Sequence, residues 1–427
     1  MKFRKAYHEI VKALSCGGFK VVILLGIRRM GKTEILKQLA NQHGGYYHDF
    51  KQSQLSYTEA EELFERDEPL LLLDEVGYLD CFDLFCSSLF ERAAKANKRV
   101  VITSSYYGAM KQLGSEYLGA GRSWKVELFP LSFEEYLHFS RDDFEYGDDY
   151  EPSAQDVDDF YRLKNIPFGM DFVIDRQYFL DTFTDIDTAR ANRYQDERDV
   201  VLSKSQYVSI LDVIANKMAE NITENLGIED ISHIVAYLFH SGFLFVDTIR
   251  NESGKQNADT AIHKLLLLKT FDQFKAFFAE YNFCVISPLL YTRLLIDLEV
   301  IAGRVHDSPH LAGELFELAV KSELVHRKGY DIYHESCKYK SAVAEVDLCA
   351  KGLLLEATIT HKQSKEHSVD KVLEDCQLIR VLTDSPGMWE YKGTFYRIGY
   401  PKALLMVSNG TIHNLEAHKV LDTAGSK

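Results

Sequence analysis

The segment Val21–Thr33, VVILLGIRRMGKT, constrains this chain more than any other. Gly26, Gly31, Lys32 and Thr33 fit the pattern G-x-x-x-x-G-K-[ST]. An apolar run, Val21–Leu25, precedes it, and an amphipathic stretch with Ile35, Leu36, Leu39 and Ala40 follows. A buried parallel strand, a tight loop and a helix start satisfy all three parts at once. The glycines allow the loop to turn and to approach an anion closely, and its backbone N–H groups can then wrap a phosphate. The helix start adds the positive end of its dipole. The residues of this cradle are Gly26, Ile27, Arg28, Arg29, Met30, Gly31, Lys32, Thr33 and Glu34. In the chemistry of such loops the lysine reaches the β/γ-phosphates of ATP and the threonine hydroxyl ligates Mg²⁺. A chance strand–turn–helix is the alternative reading.

A second strand signal, PLLLLDEV at 69–76, ends on two carboxylates. Parallel sheets gather ligands at the carboxyl ends of their strands. Asp74 is therefore the candidate for the metal side of the site and Glu75 for the base that activates water, unless the pair is only an acidic turn. Arg99–Ile102 is a further buried strand, and it closes on Thr103-Ser104-Ser105. Thr103 and Ser105 are candidate γ-phosphate sensors, although such residues also favour caps and strand-end turns. Helical stretches separate these strands. Arg4–Cys16 has one apolar face, Ser56 and Glu59 form a capping box that opens Tyr57–Arg66, Phe82, Phe85, Leu89 and Phe90 line a longer helix, and Ser132 with Glu135 repeats the capping box. Strand–helix alternation over the first ~135 residues implies a parallel α/β sheet.

Composition limits the partners. A net charge of −15 argues against a chain broadly coated for nucleic acid and leaves a local basic groove as the weaker alternative for a nucleic-acid partner. The 7 cysteines are scattered, with no C-x-x-C pair, which suits reduced thiols better than a metal ribbon or a disulfide framework. The apolar runs are far shorter than the roughly 18 residues of a membrane span, and Val21–Leu25 is too short for a signal core. A cytoplasmic protein without a membrane partner is the expectation. The 427 residues suggest about two to four domains.

GIRRMGKTEIL, LLLLDEV, ITSS, the Gly121-Arg122 pair before a strand, and PLSFEEYL together resemble a bacterial and archaeal group of AAA-type ATPases that carry a C-terminal restriction-endonuclease-like domain of unknown function. NFCVISPLLYTRLL and GELFELAVKSELVHRKGY resemble later segments of that group. The resemblance implies ATP and Mg²⁺ as ligands, hydrolysis served by Asp74 and Glu75, and Arg122 as an arginine finger, in cis or across a homo-oligomer. A solvated surface arginine is the alternative for Arg122. In the C-terminal region the resemblance implies a second metal site from Glu317, Asp347 and Glu356. The lysine of that motif falls on Thr358, whose hydroxyl carries no positive charge, so an inactive or much weakened nuclease fold is implied, with Lys362 or Lys365 as the alternative source of the charge.

The expected architecture is α/β: a P-loop AAA-type ATPase core (1–139), an acidic insertion and small helical lid (140–205), a winged-helix-like domain (206–305) and a degenerate PD-(D/E)XK-like domain (306–427). Arg141–Phe160, crowded with Asp and Glu, reads as a solvated insertion or linker, and Asn251–Ala258, after the strand FLFVDTI, as a candidate wing tip. Within the third part, Ile231–Phe239 offers only Ser232 and His233 as polar positions, which fits a structural helix better than a DNA reader. The functional expectation is an ATP-hydrolysing molecular switch. An ATP-regulated Mg²⁺-dependent nuclease and a nucleotide-binding scaffold without turnover are its rivals.

Overall fold

The computed structural model describes residues 2–16, 20–79, 82–104, 123–162, 228–240, 242–251, 258–288, 290–291, 315–324, 337–340, 345–350, 353–357, 377–382, 389–392 and 395–414. The chain divides into two compact units, Met1–Pro130 with His240–Phe243, and Leu131–Phe239 with Leu244–Lys427. Among the described residues no helix is long and apolar enough to cross a membrane.

The first unit is a parallel α/β layer. It contains α1 (Lys5–Ser15), β1 (Val21–Leu25), α2 (Lys32–His43), β2 (Tyr46–Asp49), α3 (Tyr57–Glu62), β3 (Leu70–Asp74), α4 (Phe82–Lys95), β4 (Arg99–Thr103) and β5 (Ser123–Glu127). The strands run in the order β2-β3-β4-β1-β5, and every pairing is parallel. β1 and β3 are buried along their whole length, as continuous apolar runs in a sheet covered on both faces must be. The apolar stripe of α1 buries Ala6, Tyr7, Ile10, Ala13 and Leu14. At α3 the Ser56–Glu59 capping box is complete, the Ser56 side chain accepting from the Glu59 N–H and the Glu59 side chain accepting from the Ser56 N–H. The topology sets β4 between β1 and β3. In register Leu24 faces Thr103 and Leu73 faces Ile102, so the ends of these three strands form one rim.

The second unit opens with α5 (Phe133–Ser140) and α6 (Ala154–Arg162). Both pack with α10 (helical over 315–324) and α11 (Tyr400–Asn409) around one core of Phe133, Tyr136, Val157, Phe160, Phe316 and Leu404 among others. The PLSFEEYL segment, expected at the end of the ATPase core, packs in this unit with C-terminal helices. Its start is heavily capped. Ser132 Oγ accepts from Glu135 N–H, Glu323 Oε1 accepts from Phe133 N–H at 2.6 Å, and Ser408 Oγ accepts from Glu134 N–H at 2.9 Å. Three N–H groups that the helix cannot satisfy internally therefore find partners, one of them a buried carboxylate aligned with the helix dipole. The acidic stretch 141–160, read as a solvated linker or insertion, contains α6 instead. Val157, Phe160 and Tyr161 of α6 are buried, and its Asp156 pairs with Arg141.

The rest of this unit is an eight-stranded mixed sheet in the order β12-β13-β11-β10-β9-β8-β6-β7. Its strands are β6 (Leu244–Asn251), β7 (Tyr281–Val285), β8 (Cys337–Lys340), β9 (Glu345–Ala350), β10 (Leu353–Ala357), β11 (Gln377–Leu382), β12 (Trp389–Lys392) and β13 (Phe395–Gly399), with helices α7 (Ile228–His240), α8 (Ala258–Leu266) and α9 (Phe271–Glu280) before β7. The strand expected to carry a wing, β6, pairs with β7 on one side and with β8 on the other. The segments expected to form a winged-helix-like and an endonuclease-like domain thus share one sheet.

Candidate functional site

The loop from Gly26 to Gly31 leaves β1 beneath the start of α2. Gly26 lies so close to β5's exit that a Cβ would sit 2.5 Å from the Leu128 carbonyl oxygen, which excludes any other residue there. Gly31 has φ +94°, and Arg29 also adopts positive φ (59°), so the loop reverses through two left-handed residues. Lys32 begins α2 with its side chain buried. Its Nζ donates to the carbonyls of Gly26 (2.8 Å) and Ile27 (2.9 Å), and so reaches back over the loop. Burial lowers the Lys32 pKa. Glu75 and Asp74 oppose that shift, and Arg28 adds to it.

Asp74, the last residue of β3, is fully buried. Its Oδ2 accepts from the Tyr47 hydroxyl at 2.9 Å. Its Oδ1 has no well-formed hydrogen bond, while the Thr33 hydroxyl beside the carboxylate favours the charged form. Burial still raises the Asp74 pKa, and the neighbouring Glu75 adds to the rise. A buried, under-partnered carboxylate oxygen next to a threonine hydroxyl suits a hard divalent cation such as Mg²⁺, which takes oxygen ligands and keeps several waters. Glu75 is half-buried in the left-handed region (φ 53°, ψ 42°). For a non-glycine residue that conformation costs about 1–3 kcal/mol and tends to persist where function requires it. Thr103 ends β4 between the two motifs, fully buried, with Oγ1 lacking a hydrogen-bond partner.

The residues read from the sequence thus divide. Lys32, Thr33, Asp74 and Glu75 interact around one rim, and Thr103 ends the strand between β1 and β3. Glu34, on the first turn of α2, is exposed. Ser105 and Arg122 lie outside the described residues. In the second unit, Glu317 is ion-paired at 2.5 Å with Lys321, one turn along α10. Two participants escaped the sequence reading. Tyr47 sits on β2, a short strand whose neighbour β3 ends in Asp74; a polar aromatic beside an acid-tipped strand was the available signal. Arg4, just before α1, has no local pattern to mark it. Its buried guanidinium donates to the Met30 carbonyl at 3.0 Å.

Residues 18–137 match the family model described as an AAA domain. An uncharacterized protein of Methanocaldococcus jannaschii is 30% identical over 133 residues, which is 28% of this chain and 29% of that protein. The match therefore spans less than a third of either partner. Among solved structures, the Walker-type ATPase of Pyrococcus abyssi aligns at 14% identity over 68% of this chain and 95% of its own, with a TM-score of 0.35. Domain III of the Thermotoga maritima replication initiation protein DnaA aligns at 20% identity over 31% of this chain and 64% of its own, with a TM-score of 0.22. At these scores neither likeness bears on function. The match to an AAA domain thus covers residues 18–137, less than a third of the 427-residue chain.

Proposed function

We propose that the first unit binds ATP with Mg²⁺ and hydrolyses it, and that the chain is a nucleotide-dependent switch. One observation carries the reading: Lys32, Thr33 and a fully buried Asp74 share one rim although 41 positions separate Thr33 from Asp74 in the sequence. On ATP entry Lys32 exchanges the carbonyls of Gly26 and Ile27 for phosphate oxygens. Thr33 and Asp74 hold the cation. The cation would neutralise charge on the phosphates as the terminal bond breaks. Glu75 accepts a proton from the attacking water. Thr103 reads the terminal phosphate, with Ser105 as a further sensor and Arg122 as the finger that completes the site, in cis or in trans within a homo-oligomer.

In this reading the C-terminal strands form the degenerate endonuclease-like part that receives the nucleotide signal. The ion pair of Glu317 with Lys321 supports its inactivity, because it already engages an acid that a metal would need. Phosphate release by the pure chain with Mg²⁺ and ATP tests the proposal. Glu75→Gln should lower turnover by about 10²- to 10⁴-fold and retain ATP binding. Unchanged turnover would remove Glu75 from its role. Absent turnover with intact binding in the wild type would favour the scaffold, and DNA or RNA cleavage lost in Asp347→Ala would favour the nuclease.

A further inference from the structure

We infer that Arg4 is a positioning residue of the phosphate cradle: it clamps the loop's backbone, through the Met30 carbonyl, to the segment leaving β5. The inference rests on the nucleotide-binding reading above and deepens it. Arg4 is 7% exposed. Its Nη1 donates to Met30 O at 3.0 Å, and its Nη2 donates to Phe129 O at 2.9 Å, with Pro130 O at 3.4 Å. A guanidinium presents its donors in a rigid planar fork, so one side chain can hold two backbone segments at fixed separation.

The acceptor at Met30 matters because of what shares its peptide plane. The described backbone contains no cis peptide bond. In a trans peptide the C=O and N–H vectors point in opposite directions. Holding the Met30 carbonyl toward Arg4 therefore commits the Gly31 N–H to the other side. Gly31 is a left-handed residue immediately before Lys32, and as a glycine it has wide backbone freedom. A fixed carbonyl removes that freedom where an N–H must meet a phosphate oxygen. The second anchor is independent of Arg4: Leu128 N–H donates to Leu25 O at 2.6 Å, and the Leu128 carbonyl closes on Gly26. The strap 128–130 thus borders the cradle at its first glycine and, through Arg4, reaches its last turn.

Arg4→Met keeps the apolar stem and removes the donors, whereas Arg4→Lys keeps the charge without the fork. Both are compared with the wild-type full chain by titration with a fluorescent ATP analogue and its ADP counterpart, at a temperature well below each melting point. Arg92→Ala is the control; Arg92 stacks over Tyr57 and pairs with Glu61, away from the cradle. Arg4→Met should weaken both nucleotides by roughly 10- to 100-fold, the scale typical of a lost supporting contact behind a binding group. Arg4→Lys should fall between it and the wild type. Arg92→Ala should lower the melting temperature and leave affinity alone. Arg4 variants that bind like the wild type, or that lose affinity only in step with melting temperature as the control does, overturn the inference and leave the nucleotide reading standing. A wild type that binds neither nucleotide overturns both.

Discussion

Asp74 carries a stability cost at the centre of the proposed site. Its carboxylate is buried where ionisation is costly, and burial, then Glu75, raise its pKa above the unfolded value despite Thr33, Tyr47 and Lys32. Folding thus favours the protonated form. That contribution is fully present below the unfolded pKa and is lost as pH rises through the folded one. Asp74→Asn mimics the protonated state permanently. Scanning calorimetry of the nucleotide-free protein at pH 7 should find it more stable, with Tm higher by roughly 2–4 °C, and its hydrolysis should be lost. A variant that melts at or below the wild type would contradict this account of the carboxylate. Lys32, Thr33, Asp74 and Glu75 could be singled out from the sequence because a strand–loop–helix pattern and an acid-tipped strand are local signals, and the fold brings the four together. Tyr47 and Arg4 could not, because each acts through one long-range hydrogen bond, to Asp74 Oδ2 and to Met30 O, that leaves no periodic trace.

Elements with strong local signals stood where the sequence put them. The Ser56–Glu59 and Ser132–Glu135 capping boxes form as read, since a cap is settled within four residues. The continuous apolar runs became β1, β3 and β4 for a similar reason. Helix α6 was missed because its acidic residues dominated the reading of 141–160. Val157, Phe160 and Tyr161, at i, i+3 and i+4, carried the helical stripe that should have outweighed them. Phe160 packs on Phe133 at 5.3 Å and Tyr136 at 5.5 Å between ring centroids. Truncating it empties a core position, so Phe160→Ala should destabilise the second unit by about 3–5 kcal/mol in denaturant unfolding. A loss under ~1 kcal/mol would return this stretch to the status of a solvated linker.

Across the whole molecule, the first unit was far more readable than the second. The strand–loop–helix units of the first are each local and so show in the sequence, although the order β2-β3-β4-β1-β5, with β1 between β4 and β5, does not. The eight-stranded sheet joins β6 and β7 to strands from β8 onward, and such distant pairing is not written in any local window. For the same reason PLSFEEYL could be recognised as a capped helix, yet its partners Glu323 and Ser408 could not. The proposed function nevertheless depends on the first unit's cradle. The direct test is equilibrium titration of the full-length chain with ATP and Mg²⁺, beside Lys32→Ala. Saturable binding at one site per chain by the wild type, abolished in the variant, is the predicted result. No saturable binding by the wild type, or equal binding by Lys32→Ala, would contradict it.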